Sequence, residues 1–378
     1  MKRISAVLSA SLLVGLASPA AAQFGTLLEQ GAKRAKQVND FRWTEEEKAQ
    51  LGAQVSELVR TRYGVVQDPA VHKYVTLVGR TITDKSTKPG LPWTFIVLDT
   101  DAVNAFAAPH GYVHVTRGAL ALMKNEAELA GVLAHEIVHV TEEHTIDALK
   151  KNTIKSAAAE EAAGAAGGLM TFLANAAYAN IIDNAYSRGD ENGSDTQGIV
   201  LISKAGYAPQ GLGAFLTTLA ERNKSATEKR GLFSSHPEMQ ARQDRLTSTI
   251  KKEKLAGAQL VEPRYKATIK YTPVPQAQIA TVAAGTKGLA GGSSKGGKPQ
   301  AKADAKAADE QPKKKGFGLG RLTAGGGSET KSAQVVGSGG ARGLDPEKDA
   351  KGGSNPRIVK VTVTPADLQA FRKAGALT

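Results

Sequence analysis

His135-Glu136-Ile137-Val138-His139 decides how the rest of this 378-residue chain is read. On a helix, residues four apart lie about 40° from each other around the axis. His135 and His139 therefore project from one face, where both rings can reach a single metal ion at about 2.0–2.1 Å. Glu136 is rotated off that face, so its carboxylate is placed to act as a general base toward water instead of binding the ion. With seven histidines in the chain, random ordering would give on the order of 0.01 such patterns, so chance does not explain it. The flanks predict a helix. Asn125 with Glu128 has the form of a capping box, and Leu129, Val132, Leu133, Ile137 and Val140 form an apolar stripe. Neither Gly nor Pro intervenes from Val132 to Lys150.

A hydrolytic zinc site takes three protein ligands and leaves one position open. His144 falls about 140° from His139 on a continuing helix, which places it behind the ligands or at the surface, not on the metal. The longer pattern with Gly and His further along fails, because Glu142 and Thr145 stand there. Glu191 and Asp195, again four apart, are the better candidates. Glu191 is expected to donate the third ligand oxygen. Asp195 is expected to accept a hydrogen bond from the free ring N–H of a ligand histidine.

Four ordered blocks carry a resemblance. They are Asn104-Ala105-Phe106-Ala107-Ala108-Pro109 with Gly111-Tyr112-Val113, the His135 to His139 helix, Ser187-Arg188 with Glu191 and Asp195, and Ser235-His236-Pro237 with Arg242. Together, over residues 40 to 250 or so, they resemble the zinc metallopeptidases that include the CAAX prenyl endopeptidases, the membrane protease HtpX, mitochondrial Oma-type proteases and periplasmic BepA-like proteins. The resemblance implies an α+β, mainly helical, zincin-like core with a small sheet edging the active-site cleft. It implies one Zn2+ per chain on His135, His139 and Glu191, with Glu136 as base. It also places His236 near the metal, as a fourth ligand, a plug or an oxyanion-stabilising donor. Arg242 is the other candidate for that last role, or pairs with a carboxylate. Two departures from the family pattern stand out: Gly193-Ser194 replaces the usual Glu-Ala, and His110 stands where Gly is common. An interior helix Gly costs about 1 kcal/mol relative to Ala, which predicts a softer ligand helix.

Lys2 and Arg3, an apolar run from Ala6 to Leu16 and Ala20-Ala21-Ala22 have the parts of a secretory signal peptide, with cleavage expected after Ala22. The run is shorter than the ~20 residues of a bilayer span, so no transmembrane anchor is expected after signal removal. There are no cysteines, hence no disulfides and no lipoprotein anchor, and the expected address is the periplasm. Much of the excess behind the formal net charge of +13 lies in low-complexity sequence, where Lys313-Lys314-Lys315 and its neighbours read as a solvated tail and not as a nucleic-acid surface.

The domains expected are a signal peptide (1–22), a peptidase domain (23–255), a strand-like extension (256–275), a low-complexity linker (276–355) and a terminal strand and helix (356–378). Thr44 with Glu47 should open a helix that Gly64 ends, and Asp68-Pro69 should open a second. His72 on that helix has no ligand partner and reads as structural. Thr94 to Leu98 and Tyr112 to Val115 read as strands, the second edging the cleft by family resemblance. There His114 either faces substrate or is an ordinary strand histidine. Lys151 to Asp183, rich in Ala with scattered Gly, is a helical hairpin, a lid over the cleft or a packing helix. Alternation at Tyr265, Ala267, Ile269 and Tyr271 suggests a strand. Ile358, Val361 and Val363 suggest another, before a helix capped at Thr364 and ended at Gly375. That terminal piece is expected to dock on the peptidase or on an envelope assembly partner.

The expected function is hydrolysis of unfolded or misassembled envelope proteins. The rival is a latent peptidase that acts mainly as a chaperone or assembly factor.

Overall fold

A computed structural model describes residues 43–152, 168–183, 186–222, 239–275, 279, 281–282, 334–335 and 356–378. The expected leader (1–22), His236 and nearly all of the expected linker (276–355) lie outside the described residues. The first helix, α1 (Glu45–Tyr63), starts where Thr44 and Glu47 cap each other's backbone, and it stops at Gly64 with φ 68°. In α2 (Pro69–Thr83), Asp68 accepts from the amides of Ala70 and Val71, two donors that the helix itself leaves unmet.

Three strands follow: β1 (Thr94–Leu98), β2 (Ala105–Ala108) and β3 (Tyr112–Thr116), with a 3-10 turn, Pro109–Gly111, between the last two. The sheet order is β1-β3-β2, parallel between β1 and β3 and antiparallel between β2 and β3. The Tyr112 strand is thus central, and β2 takes the edge position expected of it. The antiparallel turn after β2 folds β3 inward between its neighbours.

After α3 (Arg117–Leu122), the motif helix α4 (Glu126–Thr141) runs through the middle of the core, with every residue buried. It packs against α2, β2, α7 (Arg188–Lys204) and α8 (Gly211–Arg222). The close approach of α7 is set by Gly198, where a Cβ would lie 3.3 Å from the His135 amide nitrogen. Between them come α5 (His144–Asn152) and α6 (Gly168–Asp183). The α6 helix packs on α1, α5 and β2, and Arg62 donates to the Tyr178 hydroxyl at 2.8 Å, so its described part is a packing helix.

Two expected strands are absent. Residues from Tyr265 form α10 (Glu262–Thr268), which follows α9 (Met239–Lys252). Tyr265 and Ile269 are four apart, a spacing that puts them on one side of a helix as readily as of a strand; both are buried, and the Tyr265 hydroxyl donates to Leu120 O. Residues 358–363 pair in no ladder; just before them, Arg60 donates to Arg357 O and Gln67 to Pro356 O. The final helix α11 (Pro365–Ala374) is capped by Thr364 and Asp367 and ends at Gly375. It packs on α2, with Phe371 under the Arg264 guanidinium (3.7 Å) and edge-on to Tyr74. Arg264 also donates to the buried Glu126 carboxylate at the start of α4, which accepts from Tyr74 and Tyr207 as well. Thr378 N donates to Ala205 O at the end of α7. The terminal piece is therefore docked on the peptidase core.

Candidate active site

The α4 and α7 helices bring His135, His139 and Glu191 together. One ligand atom from each lies within 4.8 Å of the others, and all three residues are buried. The two Nε2 atoms are 3.1 Å apart. Glu191 Oε2 lies 3.6 Å from His135 Nε2, and Oε1 lies 3.5 Å from His139 Nε2. Donors in tetrahedral array at 2.0–2.1 Å from one ion sit about 3.3 Å apart, so these distances leave a hole of metal size. Two imidazole nitrogens and a carboxylate oxygen are also the donor chemistry of a borderline divalent cation. Glu136 is buried beside them on α4.

Behind the triad, Asp195 Oδ1 lies 3.0 Å from His135 Nδ1, the partnership expected from the sequence. Arg242 reaches the same carboxylate from α9: Nε donates to Oδ2 at 2.8 Å and Nη2 to Oδ1 at 2.7 Å, while Nη1 is 3.4 Å from Glu191 Oε2. Burial opposes charge on Asp195, yet the Arg242 and His135 contacts hold its carboxyl well below the usual carboxylate range. Burial likewise opposes the Arg242 charge, and Asp195 outweighs it. Of the two roles expected for Arg242, oxyanion donor or carboxylate partner, the contacts described are those of the second: its guanidinium spans Asp195 and approaches Glu191.

His144 is not where a continuing helix would carry it. The chain breaks at Glu142 and Glu143, the latter with φ 57°, and restarts as α5. His144 Nδ1 thereby comes to 2.8 Å from His139 Nδ1. Lys48 (2.7 Å) and Lys88 (2.6 Å) donate to the Glu143 carboxylate and anchor the break. Burial pushes the His144 pKa down, against the pull of Asp190 and other nearby carboxylates. Tyr186 was not foreseen. Its ring stacks on His139 with centroids 4.1 Å apart, and its hydroxyl is 3.0 Å from Thr145 Oγ1. It directly precedes Ser187, which caps α7, and that adjacency is the signal the sequence offered. Burial raises the Tyr186 phenol.

The remaining histidines separate cleanly. His114 is fully buried, with Nε2 2.9 Å from Ser56 Oγ, and does not face the cleft. Burial pushes its pKa down to about 3. His72 Nε2 contacts Val66 O at 2.9 Å inside the fold, as a structural residue should. His110, with φ 61°, lines a small cleft that also meets His139, Lys48, Lys88 and Glu143.

Comparison with known proteins gives this geometry a family. The model for peptidase family M48 matches residues 69–250. Those residues form an M48 peptidase domain. Similar proteins include the beta-barrel assembly-enhancing protease of Yersinia pestis, 29% identical over 192 residues (47% of this chain, 39% of the relative). The metalloprotease YcaL of Escherichia coli strain K12 is 34% identical over 152 residues (39% and 58%). The mitochondrial metalloendopeptidase OMA1 of Schizosaccharomyces pombe is 31% identical over 194 (49% and 55%). The matched stretch thus spans about half, or less, of most of these relatives. The matched stretch contains α4, α7 and Arg242, and the expected mainly helical α+β core with a small sheet is what the chain forms. Among the described residues no helix is long and apolar enough to cross a membrane.

Proposed function

We propose that this chain is a zinc-dependent endopeptidase, exported to the periplasm, that hydrolyses peptide bonds of misfolded or unassembled envelope proteins. The observation that carries the proposal is the buried convergence of His135, His139 and Glu191 with Glu136 on the same helix. The two histidines and Glu191 would hold the ion. When bound, zinc supplies a Lewis acid for the scissile carbonyl and acidifies water at that position. Glu136 would take the proton from the attacking water and deliver it to the leaving amine, with no covalent intermediate. Asp195 would fix the His135 tautomer so that Nε2 presents its lone pair, and Arg242 would hold Asp195 in place. An extended substrate would add beside β2, drawing on backbone hydrogen bonds and leaving sequence preference loose.

The apolar leader, the absence of cysteine and the names of the assembly-enhancing relatives support the envelope assignment. The test is metal analysis together with digestion of an unstructured protein by wild type, Glu136→Gln and His236→Ala. Glu136→Gln should retain the metal and lose ~10²–10⁴-fold in rate, the contribution of a positioned general base. Unchanged digestion would remove Glu136 from the chemistry.

One observation favours a second reading, a latent peptidase that works chiefly as a chaperone or assembly factor. His135, Glu136, His139 and Glu191 are each no more than 3% exposed, so the site is closed in this state. Full biological function in Glu136→Gln would decide for that reading.

A further inference from the structure

We infer that His144 is a positioning residue for metal binding: it orients His139 as Asp195 orients His135, so that the two ligand rings are held by chemically different partners. The inference rests on the metallopeptidase reading above and extends it to a residue outside the ligand motif. The geometry is specific. His139 has one ring nitrogen, Nε2, aimed at the cluster with His135 and Glu191, and the other, Nδ1, 2.8 Å from His144 Nδ1. At that distance one of the two Nδ1 atoms must carry the hydrogen. A ligand nitrogen must be free of one, so the hydrogen on His139 resides on Nδ1 and His144 Nδ1 is the acceptor.

Three further features show that this contact is built. The left-handed residue Glu143, held by Lys48 and Lys88, turns the chain so that α5 begins with His144 facing back toward α4. The His144 ring meets the His139 ring edge-on, with centroids 4.8 Å apart and planes at 74°. Tyr186 stacks on His139 at 25° and is tied to Thr145, the residue after His144. His139 is thus fixed at its edge and across its face by groups from two separate segments. The partners of the two ligands differ in charge. His135 leans on a carboxylate neutralised by Arg242, and His139 leans on an imidazole, which accepts a hydrogen bond without adding a full negative charge. The second ligand is aligned without making the site more anionic.

The test uses the full chain as wild type, His144→Asn, His144→Leu and His135→Ala, the last as the variant without a ligand. Zinc affinity is measured by competition with a chromophoric chelator, coordination by the visible spectrum of the cobalt-substituted protein, and folding by the thermal midpoint of the chelator-stripped protein. His144→Leu should weaken zinc binding 10–100-fold, the usual effect of removing a ligand's hydrogen-bonding partner, and should alter the cobalt spectrum. His144→Asn, whose amide oxygen falls near the Nδ1 position, should recover most of both. The stripped proteins should melt together. Unchanged affinity and spectrum in His144→Leu would overturn the inference while leaving the metallopeptidase reading intact. Equal losses in Leu and Asn variants, with lowered stripped midpoints, would also overturn it by assigning His144 to packing. A wild-type protein that binds no more zinc than His135→Ala would overturn both.

Discussion

Replacing Arg242 with Leu separates the two roles that the sequence left open for this residue. The guanidinium is buried, spans both oxygens of Asp195 and approaches Glu191 at 3.4 Å. Leu fills much of the same space but leaves the Asp195 carboxylate buried with only His135 facing its Oδ1 at 3.0 Å. Breaking a buried ion pair by removing one partner costs about 3–5 kcal/mol, because the surviving charge keeps its desolvation penalty. The orientation of His135 is lost with it, and the expected drop in metal affinity is about 10–100-fold. Urea unfolding of the metal-free protein reads the first effect and chelator competition the second. An oxyanion donor would behave in the opposite way: the rate would fall by about 10²–10³-fold with stability and metal binding intact. That pattern, or a stability loss below about 1 kcal/mol, would refute the pairing as the function of Arg242.

Four other outcomes are expected. Gly193→Ala should stabilise α7 by about 1 kcal/mol, because a Cβ there meets nothing within 4 Å and Gly is the poorer helix former. Ser194→Ala should be neutral or stabilising, since its buried Oγ has no hydrogen-bond partner among the described residues; a destabilised Ala variant in urea would show that the hydroxyl is paired. His114 supplies a pH dependence. Its folded pKa is about 3, below the unfolded value, so as pH falls under about 6.5 the unfolded chain takes up a proton that the folded one refuses, and stability is lost progressively until about pH 3. Between about pH 7 and pH 5 this one site removes about 2 kcal/mol, which His114→Gln should restore relative to wild type in paired urea melts; parallel pH profiles would refute it. Phe371→Ala should cost about 3 kcal/mol by emptying the space between Arg264 and Tyr74, and an unchanged thermal midpoint would mean that α11 adds nothing to the core.

What could be read in the sequence was local. The caps at Thr44, Asp68 and Thr364 satisfy amides within three residues, and the spacing of four in both ligand pairs fixes their faces wherever a helix forms. The break at Glu143 was hidden because its anchors, Lys48 and Lys88, lie 95 and 55 residues away in sequence. The pairing of Arg242 depends on Asp195, 47 residues earlier, and no periodicity announces it. The segment at Tyr265 was misread because a stretch of seven residues supports two periods equally. The place of β2 at the sheet edge follows from strand order, which hydropathy alternation does not encode. The segment expected to be a signal peptide, its expected cleavage site and His236 fall outside the described residues.

The docked terminal helix changes what covalent continuity means for this molecule. Arg60 holds Arg357 O across a separation of 297 residues, Lys73 meets Asp367, and Thr378 reaches Ala205. A single cut in the chain between Tyr271 and Arg357 would leave two fragments held together without a covalent link, by such contacts and by the packing of Phe371 on Arg264 and Tyr74. The smaller fragment would then behave as a ligand of the larger one, with a dissociation constant of its own. Loss of that fragment would become a question of dilution and time, and severing the backbone would be only the first step.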